Sequence, residues 1–320
     1  MIHWEDGLFL TRPRLAIDVR RRQPRAFVSH AHADHIARHE AAYCTPETAM
    51  LYQHRLGEHR RVVLMPYGEP RAYGDVQLTA SPAGHCLGSA MLLVEGGEKS
   101  LLYTGDFKLG RSATAVEAEL PRADVLVMEC TFGRPRYRLP PREEVVDQLV
   151  ALVRDTLRAG ATPVVHAYPL GKGQEITRLL TAAGIAVLQH PDMFAISEIY
   201  RQCGVELGDV RRYDATLLEG RAVLTIPKGF GRFRLPGIDR VVSIAVTGWA
   251  REPSTRMRWQ VDHALPLSDH ADFDELLETA RRVGAREIYC THGPREFVEH
   301  LLSHGFHARP VEGPYQRRMF

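Results

Sequence analysis

The chain has 320 residues, 44% of them apolar and 25% charged, and a net charge of only +2. It is long enough for one large or two medium domains with real cores, shows no low-complexity tract, and lacks a global basic field that would demand a polyanionic partner. No apolar run approaches the length of a membrane span, and Met1 to Leu10 has no cationic stretch ahead of an apolar core, so neither a signal peptide nor a membrane anchor is expected.

The five cysteines, Cys44, Cys86, Cys130, Cys203 and Cys290, are dispersed without a CxxC pair. That points away from a disulfide framework and toward a reducing compartment, so the expected location is cytoplasmic. The basic side chains are nearly all arginine, with lysine only at Lys99, Lys108, Lys172 and Lys228. Arginine suits bidentate phosphate contacts, and a GC-rich genome would produce the same bias.

In chain order, Gly7–Leu10 and Leu15–Ile17 read as short strands, the second ending on Asp18. Ala26-Phe27-Val28 reads as another, and the loop leaving it is Ser29-His30-Ala31-His32-Ala33-Asp34-His35. Imidazole and carboxylate at that density suit zinc, with manganese as the alternative. The spacing suggests two ions, because adjacent Asp34 and His35 cannot easily join His30 and His32 around one. Asp18 is a candidate to support a metal-binding histidine from behind, or an ordinary turn cap.

A helix is expected from Pro46, with Pro in its first turn. Strands follow at 62–65, 76–80, 90–95 and 100–104 between glycine-rich turns. From Glu143 to Leu157 the apolar residues Val145, Val146, Leu149, Val150, Leu152, Val153 and Leu157 fall at helical spacing. Strand 163–166, the turn Gly171-Lys172-Gly173, helix 174–183, strand 186–188, helix 192–202 and strands 222–226 and 241–246 continue the alternation. Such alternation argues for a parallel α/β domain of its own, inserted before the chain returns to motif-bearing loops at 262–293.

Four further sites end strand-like runs: His85 between glycines, Asp106 on a Gly-Asp turn, Glu129 after Val125–Met128, and His292 in Thr291-His292-Gly293. Each alone would be an ordinary turn or a buried structural residue. Together with the histidine loop they form a pattern. His30-x-His32-x-Asp34-His35, His85 and Asp106 resemble the metallo-β-lactamase signature, with Asp18 matching its first acidic motif. Glu129-Cys130-Thr131, Ser268-Asp269-His270-Ala271-Asp272 and Thr291-His292-Gly293 resemble the added motifs of the β-CASP nucleases. Gly171-Lys172-Gly173-Gln174-Glu175 is similar to the Gly-Arg-x-Gln-Glu turn of their inserted domain. Within that group the resemblance is nearest to the short bacterial branch of ligase-associated DNA exonucleases, also labelled mRNA 3′-end processing factors.

The resemblance implies an α/β fold, a metallo-β-lactamase αββα sandwich over 1–133 and 263–320, with a parallel α/β β-CASP domain inserted at 134–262 and the active site in the cleft between them. It implies one metal held by His30, His32 and His85, and a second by Asp34, His35 and His292, with Asp106 bridging. Two such ions, about 3.5–4 Å apart, activate water and clamp phosphate oxygens during in-line attack. His270 is then the proton donor to the leaving oxygen, and Glu129 fixes its tautomer and favours its charged form. His263 is the competing acid, in surroundings that do not match the motif. The expected activity is single-stranded DNA exonuclease in DNA repair, with an RNA endo- or exonuclease as the alternative and a small-molecule ester or lactone hydrolase as a further rival. His292 favours RNA, because the crosslink-repair enzymes carry an aliphatic residue there. A DNA ligase and a helicase are the implied functional associates. Arg134 and Arg136, Lys228 and Arg232, and Lys172 at a helix N-terminus are candidate contacts to a nucleic-acid backbone. His166 is expected to be structural.

Overall fold

The computed structural model describes residues 1–227 and 236–312, so Lys228 and Arg232 lie outside the described residues. The chain divides into two compact units, one of Met1–Arg111, Ala115–Pro135 and His270–Phe320, the other of Ser112–Thr114 and Arg136–Asp269.

The first unit opens with β1 (Ile2–Trp4), β2 (Leu8–Leu10), β3 (Leu15–Ile17), β4 (Arg25–Phe27), β5 (Ala41–Cys44) and, after helix α1 (Pro46–Leu56), β6 (Val62–Leu64). They form one sheet in chain order, antiparallel as far as β3 and parallel from β3 to β6. Thr45 caps α1, its hydroxyl accepting from Thr48 N at 3.2 Å ahead of Pro46. A second sheet begins with β7 (Arg71–Tyr73), β8 (Val76–Pro82), β9 (Ala90–Glu95), β10 (Leu101–Tyr103) and β11 (Val125–Glu129). β7 to β10 are antiparallel neighbours, and β11 pairs parallel with β10.

The second unit is an all-parallel sheet. After α2 (Arg142–Arg158) come β12 (Thr162–His166), α3 (Lys172–Ala182), β13 (Val187–Gln189), α4 (Pro191–Gln202), β14 (Val210–Arg212), β15 (Ala222–Thr225), β16 (Val241–Val246), α5 (Ser254–Trp259) and β17 (His263–Leu265). The strand order is β14-β13-β15-β12-β16-β17, every pairing parallel. β17 pairs with β16, so residues 263–269 belong to this unit and the chain leaves it at Asp269 rather than after 262. A three-residue strand of mixed polarity carries too little periodicity to announce that. His166 is buried at the end of β12.

One expectation fails here. Lys172, read as a phosphate contact at the start of α3, is 1% exposed; its Nζ lies 3.0 Å from Glu175 Oε2 and 3.7 Å from Asp269 Oδ1. Arg142 holds the other Glu175 oxygen at 2.8 Å. Burial alone would raise the Glu175 carboxyl, but Lys172 and Arg142 outweigh it and hold its pKa below the ordinary value. Lys172 is therefore a structural cation. Lys172→Met should cost about 3 kcal/mol in denaturant unfolding, because it leaves buried carboxylates short of a partner; a loss below about 1 kcal/mol would mean the pair contributes no more than a surface one.

Back in the first unit, α6 (Phe273–Val283), β18 (Glu287–Thr291), α7 (Arg295–Ser303) and β19 (Ala308–Pro310) complete the second sheet in the order β19-β18-β11-β10-β9-β8-β7. Alternation along the strands sorts the side chains. Leu101, Tyr103, Val125 and Val127 pack with Leu8, Leu10, Ile17 and Phe27 of the first sheet. Leu102, Leu126 and Met128, from the other face, pack with Phe273, Leu276, Phe297 and Leu301 of α6 and α7. Ala42 and Cys44 of β5 pack with Ala49 and Tyr52 of α1. The unit is thus layered helix, sheet, sheet, helices. All five cysteines are free thiols, and no described helix is long and apolar enough to cross a membrane.

Candidate metal centre

Asp18, His30–His35, Asp106 and His292 follow the carboxyl ends of β3, β4, β10 and β18, and Glu129 is the last residue of β11. β3 and β4 are parallel in the first sheet, and β10, β11 and β18 are parallel in the second. His85 follows β8, which runs with β10 because both are antiparallel to β9. Within each sheet, strand direction gathers these residues at strand ends of like polarity. Two glycines make the loops fit: a Cβ on Gly84 (φ +76°) would lie 2.3 Å from Lys108 O, and one on Gly105 (φ +56°) 2.7 Å from Ser29.

The donor atoms of His30, His32, His85 and Asp106 all lie within 4.8 Å of one another. His30 Nε2 is 2.9 Å and His85 Nε2 3.1 Å from His32 Nδ1. His30 Nε2 and His35 Nε2 are 3.5 and 3.2 Å from Asp106 Oδ2. Burial drives the His30 pKa well below the ordinary value, and the neighbouring imidazoles push the same way, so this ring is neutral and offers a lone pair. Burial would also lower His35, but Asp106 and Asp18 reverse it and raise the pKa. Asp106 is held well below the carboxylate range, burial being overcome by His35, His270 and His30. Three imidazole nitrogens and an ionised carboxylate converging on one point form a donor set that fits a divalent ion of the zinc type.

Outer contacts orient the rings as ligating histidines require. Asp18 Oδ2 accepts from Tyr103 Oη at 2.8 Å and Ser29 Oγ at 2.5 Å and lies 2.9 Å from His35 Nδ1, while Asp18 Oδ1 accepts from Ser29 N at 2.8 Å. Ser29 Oγ is also 3.0 Å from His30 Nδ1. The roles of Ser29 and Tyr103 are absent from the sequence reading, although Ser29 adjoins His30 and Tyr103 ends a strand two residues before the Gly-Asp turn. Asp18 and His292 both adopt left-handed backbone, φ 49° and 52°, a conformation that non-glycine residues hold only when their surroundings enforce it.

The second expected set is looser. Asp34 is exposed, with Oδ2 3.8 Å from His35 Nε2, and the exposed His292 ring lies 5.4 Å from the His35 ring. Among the described residues, Asp34, His35 and His292 do not converge within 4.8 Å as the first set does.

Beside the cluster stands an oriented imidazole. His270 Nδ1 lies 2.9 Å from Glu129 Oε1, and its ring is 4.7 Å from that of His85. Glu129 is 1% exposed and is fixed by Phe107 N at 3.1 Å and Thr131 N at 3.2 Å. Ala271 N donates to Phe107 O at 2.6 Å, anchoring the chain next to His270. The competing His263 is exposed on β17 in the second unit. Arg134 and Arg136, expected at a backbone, each pair with a carboxylate: Arg134 with Glu296 at 3.0 Å and Arg136 with Glu252 at 2.8 Å.

Residues 11–180 match the beta-lactamase superfamily domain. The chain is 37% identical over 314 residues to a probable DNA ligase of Opitutus terrae, covering 96% of this chain and 30% of that protein. It is 30% identical over 273 residues to the 5′ exonuclease Apollo of Gallus gallus, covering 79% of this chain and 55% of that one. With an RNase J-like protein of Methanocaldococcus jannaschii it shares 30% identity over 177 residues, 48% and 42% of the two chains. The chain therefore spans about a third to a half of the length of these curated relatives. A crystal structure of a protein of unknown function from Enterococcus faecalis V583 shares the fold, with a TM-score of 0.60 at 16% identity over 90% of this chain and 80% of that one.

Proposed function

The chain belongs to the β-lactamase superfamily, and from that premise we propose that it is a metal-dependent nuclease of the β-CASP type, hydrolysing single-stranded nucleic acid and most readily single-stranded DNA from an end. The observation that carries this reading is the Glu129–His270 pair beside the His–Asp cluster. A small ester or lactone hydrolase would need the cluster alone.

His30, His32 and His85 with Asp106 would hold one divalent ion, and Asp34, His35 and His292 with Asp106 a second. When bound, such ions supply Lewis acidity toward a phosphate and its attacking water. The protein's own groups do the rest. Glu129, held by two backbone amides, accepts from Nδ1 of His270 and leaves Nε2 to carry the transferable proton. His270 donates that proton to the leaving oxygen of the scissile bond. Asp18 locks the His35 ring so that its Nε2 stays turned toward Asp106.

Relatives named as a 5′ exonuclease and a probable DNA ligase support DNA as the substrate and joint action with DNA ligation. His292 and the relative named RNase J-like favour the second reading, RNA. The deciding experiment digests 5′- and 3′-labelled single-stranded DNA and RNA with zinc or manganese. DNA shortening stepwise from one end is the expected result, and RNA cleaved in preference would establish the second reading. Hydrolysis of thioesters or lactones with both nucleic acids intact would overturn the proposal.

A further inference from the structure

The second unit carries a run of positive charge that the chemistry above does not use. Trp249 to Trp259 includes Arg251, Arg256 and Arg258, all exposed, with Met257 between the last two 79% exposed. Several surface arginines elsewhere are held by a neighbouring carboxylate, among them Arg14 by Glu5, Arg22 by Glu40, Arg158 by Asp155 and Arg201 by Glu198. Among the described residues, Arg251, Arg256 and Arg258 form no ion pair. The carboxylate that feels Arg256 is Asp262, whose Oδ2 is already taken by Ser243 N and Oγ at 2.8 and 2.6 Å.

Aromatic surface adjoins this charge. Trp259, at the end of α5, meets Tyr168 edge-on, with ring centroids 6.1 Å apart at 90°, and both residues are only half-buried. Burial raises the Tyr168 hydroxyl; Asp269 adds to that rise and Arg258 opposes it, so the ring lies within reach of both charges. Asp269 directly precedes His270.

We propose that Arg251, Arg256 and Arg258, with Trp259 and Tyr168, form a binding track for a single strand of nucleic acid. Unneutralised guanidiniums match a row of phosphates, each contact releasing counterions. Half-open aromatic rings offer stacking surface to unpaired bases, which a duplex would keep within its own stack. The track gives the nuclease reading a strand-binding surface within the second unit and rests on that reading for its meaning, but binding can be measured apart from cleavage.

The test uses the full chain and fluorescently labelled single strands, DNA and RNA, with phosphorothioate linkages to resist hydrolysis. Anisotropy titrations are run across a salt series. Replacing all three arginines by glutamine should weaken binding by about tenfold or more and flatten the log–log salt slope by about 2, at roughly 0.7 per single-strand phosphate contact. The triple lysine variant should keep the slope, which separates lost charge from lost fold. Trp259→Ala should weaken binding by about fivefold, the lower end of one stacked base. A glutamine variant with wild-type affinity and slope would overturn the proposal. Retained strand binding with lost binding to polyglutamate would assign the patch to an acidic protein and overturn it too. Wild-type protein that binds neither strand would overturn the nuclease reading itself.

Discussion

Asp106→Ala is expected to lower turnover by roughly 10³-fold or more, which corresponds to losing about 4 kcal/mol of charge stabilisation. Asp106 Oδ2 lies within 3.5 Å of both a His30 and a His35 nitrogen, and its charge, with that of Asp18, raises the His35 pKa against the effect of burial. The fold should survive, since His35 keeps its contact to Asp18 and the sheet cores are untouched. Circular dichroism should therefore show a native melt, while elemental analysis shows a reduced metal content. A variant that keeps both its metal and its turnover would remove Asp106 from the centre.

His270→Ala behaves differently. Turnover should fall by about 10²–10⁴-fold, the usual range for a lost general acid, with metal content unchanged. The competing outcome has a structural basis, because the donor atoms of Asp106, Glu129 and His270 also come within 4.8 Å of one another. Loss of metal in the alanine variant would show that His270 is a ligand. The alkaline limb of the rate profile gives a second reading: a general acid must be protonated to act, so the limb should vanish when His270 is removed.

Much of this was legible in the residues because chemistry-bearing side chains follow apolar runs. Ala26-Phe27-Val28 before His30 and Val125–Met128 before Glu129 marked strand ends, and strand direction then brings those ends together. Helix α2 is legible from its long apolar periodicity, which places each of its ends to within a residue. The misses share a cause. Lys172 in a Gly-Lys-Gly turn looks like a phosphate contact, and only its burial against Glu175, three residues on, shows otherwise. α6 was passed over among motif-bearing loops, although Asp272 and Glu275 form a capping box ahead of Leu276, Leu277, Ala280 and Val283. The helical periodicity begins directly beside the Asp269-His270 motif, so the loop signal and the helix signal overlap. The Asp18 network needs Tyr103, 85 residues away in the chain, a distance over which no local pattern speaks.

Whether this is a metal enzyme acting on nucleic acid rests on one comparison: the chain stripped by a chelator and dialysed, against the same chain reloaded, with bound metal counted and cleavage of a labelled single strand followed in both. The expected result is two zinc or manganese ions per loaded chain and cleavage that disappears and returns with them. Undiminished cleavage by the metal-free chain would contradict it.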